Sequence, residues 1–425
     1  MGSTFSILKL IVGAGSFLLP SVTAAIGFAG LAVSLTLLAA LAFYTSWLVV
    51  RLKAERAPKE DLSMAEFVGR ELGRGAGAVC EACVMGTSAG GCAVYLSFTG
   101  QILSQVYCAL PNYIYILAMG ALVAAFVLLQ AVSVVYARWD PLLFLARSSM
   151  VGFFAAVAAA VATIVIGAIE NDGVGNRPPY LVFDIGSIPD AYGSIAFLFC
   201  VALFMFPVHS AIDKPRKFTA ALVAGYSVAY LFNLVFSTLG FAVFGAAVQG
   251  VVVNSLGTTP QTAAAAKAVQ IVLALDVFFT FLVVVVPSAG SVRRALGALS
   301  PRLRVDADDT PRTVGSVVVV ALAPLIILAL CLGLAILVPG VQDLVGIVSA
   351  LGLSVTALIL PALLRLKIGP RNSPLVWVAH IAIIVFASAA GGYTLYTAVR
   401  GIVEDYQSGI AGSLFAAACN STTAA

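Results

Sequence analysis

Two glycines and a proline interrupt the first apolar run of the chain, Lys9-Leu-Ile-Val-Gly13-Ala14-Gly15-Ser16-Phe-Leu-Leu-Pro20. Such residues weaken a helix in its middle, because glycine loses much backbone entropy and proline lacks an N–H. A later run, Phe204-Met-Phe206-Pro207-Val-His209-Ser-Ala-Ile-Asp213, is predicted to break near Phe206–Pro207. Unwinding a helix frees N–H groups on one half and C=O groups on the other. The first suit a carboxylate and the second an ammonium, so two facing breaks would seat an amino acid. Glycine lets the backbone itself approach such a ligand. Gly13, Ala14, Gly15 and Ser16 are therefore candidate binding residues, with Phe204 and Phe206 from the second break.

Ionisable side chains inside apolar runs are the other candidates. A charge at the centre of a bilayer costs ~2.5–3.5 kcal/mol on insertion scales, so such groups face partners or cavities. Lys9, Asp276, His209 and His380 are of this kind. Asp276 and Thr280 stand four residues apart and share a helix face. His209 is the one of these whose ordinary pKa lies near neutrality and which stands at a helix break. His380 lies alone in the last apolar run and reads as structural.

The elements that must position these residues are membrane helices. Apolar residues make up 61% of the 425, and charged residues only 10%. Mean hydropathy is +1.07. Water-soluble domains run at about 45–50% apolar and about 25% charged. A bilayer accommodates such a surface because it is the solvent of the outer faces. A spanning helix needs ~20 apolar residues. Eleven stretches qualify: 4–28, 30–52, 76–107, 112–137, 141–169, 193–213, 218–247, 265–296, 314–338, 342–366 and 374–400. Pro, Gly and Asn mark the short turns between them, as at Leu110-Pro111-Asn112 and Gly369-Pro370. Longer linkers cover 170–192 and 248–264, and no soluble domain is predicted within 1–425. No cleavable signal peptide is expected either.

Basic residues set the expected orientation. Arg51, Lys53, Arg56, Arg70, Arg293 and Arg365 belong to the linkers of one side, with most other Lys and Arg. The opposite side holds Arg177, Lys267 and Arg400. The N-terminus is thus expected in the cytoplasm and the tail 402–425, with its Asn420-Ser-Thr sequon, on the far side. The net charge of +4 gives no reason to expect nucleic acid. Cys80 and Cys83 form a lone CxxC among seven cysteines, too few ligands for a metal site.

Several stretches together resemble the amino acid/auxin permease family, within the APC superfamily of amino acid transporters. Gly13-Ala-Gly15-Ser-Phe-Leu-Leu-Pro20 is similar to its first-helix signature. Tyr230 through Gly240-Phe241-Ala-Val-Phe244-Gly245 resembles the seventh helix. Thr280 through Pro287 with Arg293-Arg294 resembles the eighth, and Leu344-Val-Gly346 through Leu360-Pro361 the tenth. The resemblance spans nearly the whole chain. It implies an all-α, LeuT-like fold of eleven transmembrane helices. Helices 1–5 (about 4–169) and 6–10 (about 193–366) would form a 5+5 inverted repeat, with helix 11 (about 374–400) extra. It further implies secondary transport of small neutral amino acids by alternating access, at a plasma, vacuolar or lysosomal membrane. No cofactor is implied beyond a coupling ion, proton or sodium, and no partner beyond the amino acid and the bilayer.

The resemblance also gives roles to residues. Tyr95 falls where members line the cavity. Lys9 stands where sodium-coupled members tend to carry an Asn ligand of the ion, and Thr280 matches a Thr of the same site. Helices 1 and 8 are neighbours in that fold, so the Lys9 ammonium is expected to replace sodium, held by Asp276 and Thr280. This chain departs from the family in helix 6, where His209 and Pro215 have only five residues between them. The second half of that helix is expected to be short by about two turns of ~3.6 residues.

Three other readings are open. A sodium-coupled symporter would keep the same architecture. An amino-acid receptor on this scaffold would need a partner-binding tail, and the short N-terminal segment argues against it. A membrane-embedded enzyme would need clustered His and acids, whereas this chain has two His and no HExxH.

Overall fold

The structure is a computed structural model. It describes residues 2–58, 60, 62–107, 109–136, 141–173, 181–210, 217–299, 314–369 and 373–408. The linker 300–313, the segment 211–216 with Pro215, Arg177, and the tail from 409 with Asn420 lie outside the described residues.

The described chain is helical. Helix α1 (Gly2–Ile11) stops at Val12–Gly13, and a 3₁₀ turn (Ala14–Leu18) leads into α2 (Leu19–Arg56). Gly13 has φ −167° and ψ −149°, which leaves the helical region. Within α2 the chain kinks at Gly27, at φ 80°. The backbone of 181–184 lies against that corner: Phe28 and Ala29 donate N–H bonds to the carbonyls of Leu181 and Val182, and Asp184 donates to Ile26. A Cβ at Gly27 would sit 2.5 Å from the Val182 carbonyl. Glycine is required there twice over, for the positive φ and for the close backbone.

The linker after α2 holds a short helix, α3 (Met64–Leu72). Ser63 and Glu66 close a capping box at its start, and Met64, Ala65, Phe67 and Val68 are its buried face. Then come α4 (Arg74–Val106), α5 (Asn112–Tyr136) and α6 (Pro141–Glu170). After the second long linker, α7 (Ile188–Leu198) is followed by a turn, a 3₁₀ segment (Ala202–Phe204) and the six-residue α8 (Met205–Ser210). The remainder is α9 (Phe218–Phe244), α10 (Ala263–Leu299), α11 (Val314–Leu337), α12 (Val341–Ser349), a π-helical stretch (Ala350–Ile359), α13 (Leu360–Ile368) and α14 (Pro374–Gln407).

Among the described residues nine helical stretches are long and apolar enough to cross a membrane, and Ala321–Leu337 is a shorter apolar one. The first of the nine, Ile7–Arg56, runs through the Gly27 corner. Helix α4 is the central post and packs against α3, α5, α10, α11 and α12. Helix α14 lies at the periphery, against α12, the π-helical stretch, α13 and α7. Exposed Leu, Val, Ile and Phe side chains cover the outer faces of α5, α6, α9, α11 and α14, as a lipid-facing surface requires.

Two boundaries differ from the sequence reading. The last helix continues to Gln407, so the tail begins later than 402. Arg400 and Glu404 pair across one turn at 2.6 Å and support an end too polar for an apolar count. The interruption of the sixth apolar run also lies elsewhere. Phe206 and Pro207 are helical, and the break covers 199–204. Pro207 sits in the first turn of α8, where a missing N–H has no intrahelical partner to lose. Proline therefore marks the start of the second half-helix, and the break precedes it.

Candidate functional site

The broken segments meet. An added Cβ at Gly15 would lie 2.9 Å from side-chain carbons of both Phe197 and Leu198, so the 3₁₀ turn after Gly13 abuts the end of α7. At the break, Phe199, Cys200 and Phe204 donate N–H bonds to residues three back, Ala196, Phe197 and Val201, instead of four. Ser16 is wholly buried and its hydroxyl finds no partner.

Beside the two breaks is a cavity of about 40 Å³. Leu10 borders it from the end of α1, and Phe197, Cys200, Val201, Leu203 and Phe204 from the second break. Thr87, Ser88, Gly91 and Tyr95 border it from one face of α4, Val284 from α10 and Val348 from α12. No lining residue carries a charge. Three of the polar ones turn away. Thr87 donates to the Cys83 carbonyl (2.7 Å), Ser88 to the Val284 carbonyl, and Cys200 to the Ala196 carbonyl (3.4 Å).

One residue before Leu10, the side chain of Lys9 enters a different environment. Its ammonium donates to both carboxylate oxygens of Asp276 on α10, at 2.6 and 2.5 Å. The two side chains are 7% and 1% exposed. Gly152 of α6 closes the third side, where an added Cβ would lie 2.7 Å from Asp276 Oδ1 and 2.9 Å from Lys9 Cε. Thr280 is buried one turn along α10, and its hydroxyl donates to the Asp276 main-chain carbonyl at 2.9 Å, while the Lys9 ammonium donates to the Asp276 carboxylate.

The other sequence candidates divide. Tyr95 and Phe204 border the cavity, whereas Gly13, Ala14, Gly15 and Ser16 are not among its lining residues. Phe206 packs on Phe67 (ring centroids 5.9 Å) and under the Lys53 ammonium (4.5 Å). His209 is packed edge-on against Phe218, with ring centroids 5.1 Å apart. His380 is buried, bonded to the Tyr44 hydroxyl (2.9 Å) and the Val376 carbonyl (2.8 Å). Cys80 and Cys83 are buried free thiols, and among the described residues no cluster could hold a metal ion.

Thr87, Ser88, Gly91, Cys200, Val201, Val284, Val348 and Gly152 were not singled out in the sequence. One signal was available. The run Gly86-Thr-Ser-Ala-Gly-Gly91 has only small side chains, which let neighbouring helices and a cavity come close to a helix axis.

The family model for transmembrane amino acid transporter proteins matches residues 1–399. The chain belongs to that family. It is a family of transporters rather than enzymes, and with the apolar helices above it makes the chain an integral membrane protein. Solved structures agree at the level of fold. A manganese transporter from Eremococcus coleocola, solved as two point mutants, superposes with a TM-score of 0.58 at 14% identity, over 99% of this chain and 92% of that one. The same transporter in complex with an aromatic bis-isothiourea substituted compound gives 0.57 at 14% identity, with the same coverage. A search of curated proteins found no match.

Proposed function

We propose that this family member carries small neutral amino acids across a membrane by alternating access, driven by protons or by exchange, with Lys9 occupying the place of a coupling cation. The observation that carries the reading is the position of the cavity. It touches Leu10 at the end of α1 and the turn between α7 and α8, two of the points where the main chain stops being α-helical. The first N–H groups of a new helical segment have no partner within it. Those after Gly13 suit a carboxylate, and the carbonyls at the other ends suit an ammonium. Splitting Ile7–Arg56 at Gly27 and counting α11 turns the nine candidate spans into eleven, and we take these as two inverted sets of five plus α14. The N-terminus would face the cytoplasm, at a plasma, vacuolar or lysosomal membrane.

The ion pair supports the choice of coupling. A second cation beside Lys9 would meet a repulsion of about 4 kcal/mol at 4 Å for an effective dielectric of ~20. Asp276 already spends both oxygens on the ammonium. Uptake of labelled alanine into liposomes holding the purified chain tests this, with sodium and pH varied separately. Replacing sodium by choline is expected to leave uptake unchanged. A pH gradient is expected to drive it if the pair exchanges a proton, and trans amino acid to drive it if not. Uptake that requires sodium would overturn the coupling assignment.

A further inference from the structure

We infer that the cavity is the seat of the substrate's side chain, that it accepts apolar side chains of limited size, and that Gly91 sets that limit. The inference rests on the transporter reading above and goes on to name what the site selects.

The chemistry of the wall comes first. Leu10, Val201, Leu203, Val284 and Val348 are aliphatic, and Tyr95, Phe197 and Phe204 are aromatic. The hydroxyls of Thr87 and Ser88 and the Cys200 thiol are committed to main-chain carbonyls. A charged side chain entering here would lose its water and meet no lining residue of opposite charge, which disfavours it. The nearest strong charges, Lys9 and Asp276, are saturated by each other. At about 40 Å³ the space exceeds the ~10–15 Å³ that one water needs and is still small, which limits what enters.

The size limit follows from comparing the glycines of α4. A Cβ at Gly90 would lie 2.5 Å from Val348 Cγ2, and one at Gly100 2.6 Å from Ile116 Cγ1, so both are closed by neighbouring helices. At Gly91 an added Cβ meets only Val284 Cγ1 among the described atoms, at 3.6 Å, an ordinary van der Waals contact. Gly91 and Val284 both border the cavity. A methyl at position 91 thus fits the fold and takes its room from the ligand. Thr87, Gly91 and Tyr95 stand four residues apart on one face, so the missing side chain is a gap in a continuous wall.

The test uses the full chain in liposomes with labelled alanine and leucine. Wild type is expected to take up both, and unlabelled lysine or glutamate at equal concentration not to compete. Gly91→Ala should lower the leucine-to-alanine uptake ratio about tenfold, the scale set by one methylene in an apolar pocket. Gly91→Val should lower it further. Val284→Ala, added to Gly91→Ala, removes the facing methyl and should restore leucine. A ratio unchanged in Gly91→Ala, or competition by lysine or glutamate, overturns the inference while wild-type uptake leaves the transporter reading standing. Absence of any amino acid uptake by wild type overturns both. If Gly91→Val fails to fold, Gly91→Ala and its rescue decide.

Discussion

Lys9 and Leu10 are consecutive residues, yet they face opposite kinds of interior. Lys9 enters a site filled by charge and closed on three sides by α1, α6 and α10. Leu10 borders an uncharged cavity between α1, α4, the α7–α8 break, α10 and α12. Helix α10 serves both, with Asp276 at the ion pair and Val284 at the cavity about two turns on. Successive helical residues point about 100° apart, which is how one helix separates an electrostatic task from a steric one. Here the difference lies in what removal does. Taking an atom from the cavity wall only enlarges a space, whereas taking one partner from the pair strands a buried ion.

The largest expected effect follows. Lys9→Ala leaves the Asp276 carboxylate buried and unpaired, which should cost roughly 3–5 kcal/mol. The measurements are the thermal midpoint in detergent, expected to fall by several degrees, and uptake, expected to vanish. Retained stability would mean that the carboxylate finds water or a proton and that the contrast with the cavity is overstated.

The double variant Lys9→Met/Asp276→Leu sharpens the contrast. Replacing both members of a buried pair by apolar groups of similar volume is often neutral or stabilising. Its thermal midpoint should return close to wild type while uptake stays absent. Uptake restored together with stability would show that the pair is structural only.

Gly152→Ala is the next smaller step. The added methyl forces the pair to shift by a few tenths of an ångström or more, an overpacking cost of about 1–3 kcal/mol. Alanine uptake should fall, whereas Gly91→Ala, with room for its methyl inside a helix, should not lower the midpoint and gains about 0.5–1 kcal/mol from helix propensity. Equal loss from the two substitutions would erase the distinction between the regions.

The smallest effect belongs to Ser88→Ala. It removes one hydrogen bond to the Val284 carbonyl, worth about 1 kcal/mol, and adds no bulk to the cavity. The leucine-to-alanine uptake ratio should stay within about twofold of wild type, since no methylene enters or leaves the pocket.

The membrane character and approximate helix positions were legible in the residues, because a bilayer imposes a length and a polarity on each span and both can be read along the chain. The interruption at Gly13 was legible for a local reason too, since glycines weaken a helix wherever it packs. Helix ends stabilised by charge pairs, such as Arg400–Glu404, escaped an apolar count, although their spacing is local. Phe206–Pro207 misled, because a proline is read as a breaker until its place within the first turn is known. The amino acid sequence offered Lys9 and Asp276 as intramembrane charges, 267 positions apart, and family resemblance suggested that they meet. Only the packed helices decide that Gly152 closes over them, that Thr280 turns to its own backbone, and that Gly91 rather than Gly90 borders the cavity. Which neighbour a glycine meets depends on the azimuth and approach of other helices, and those are set by the whole bundle rather than by any local stretch.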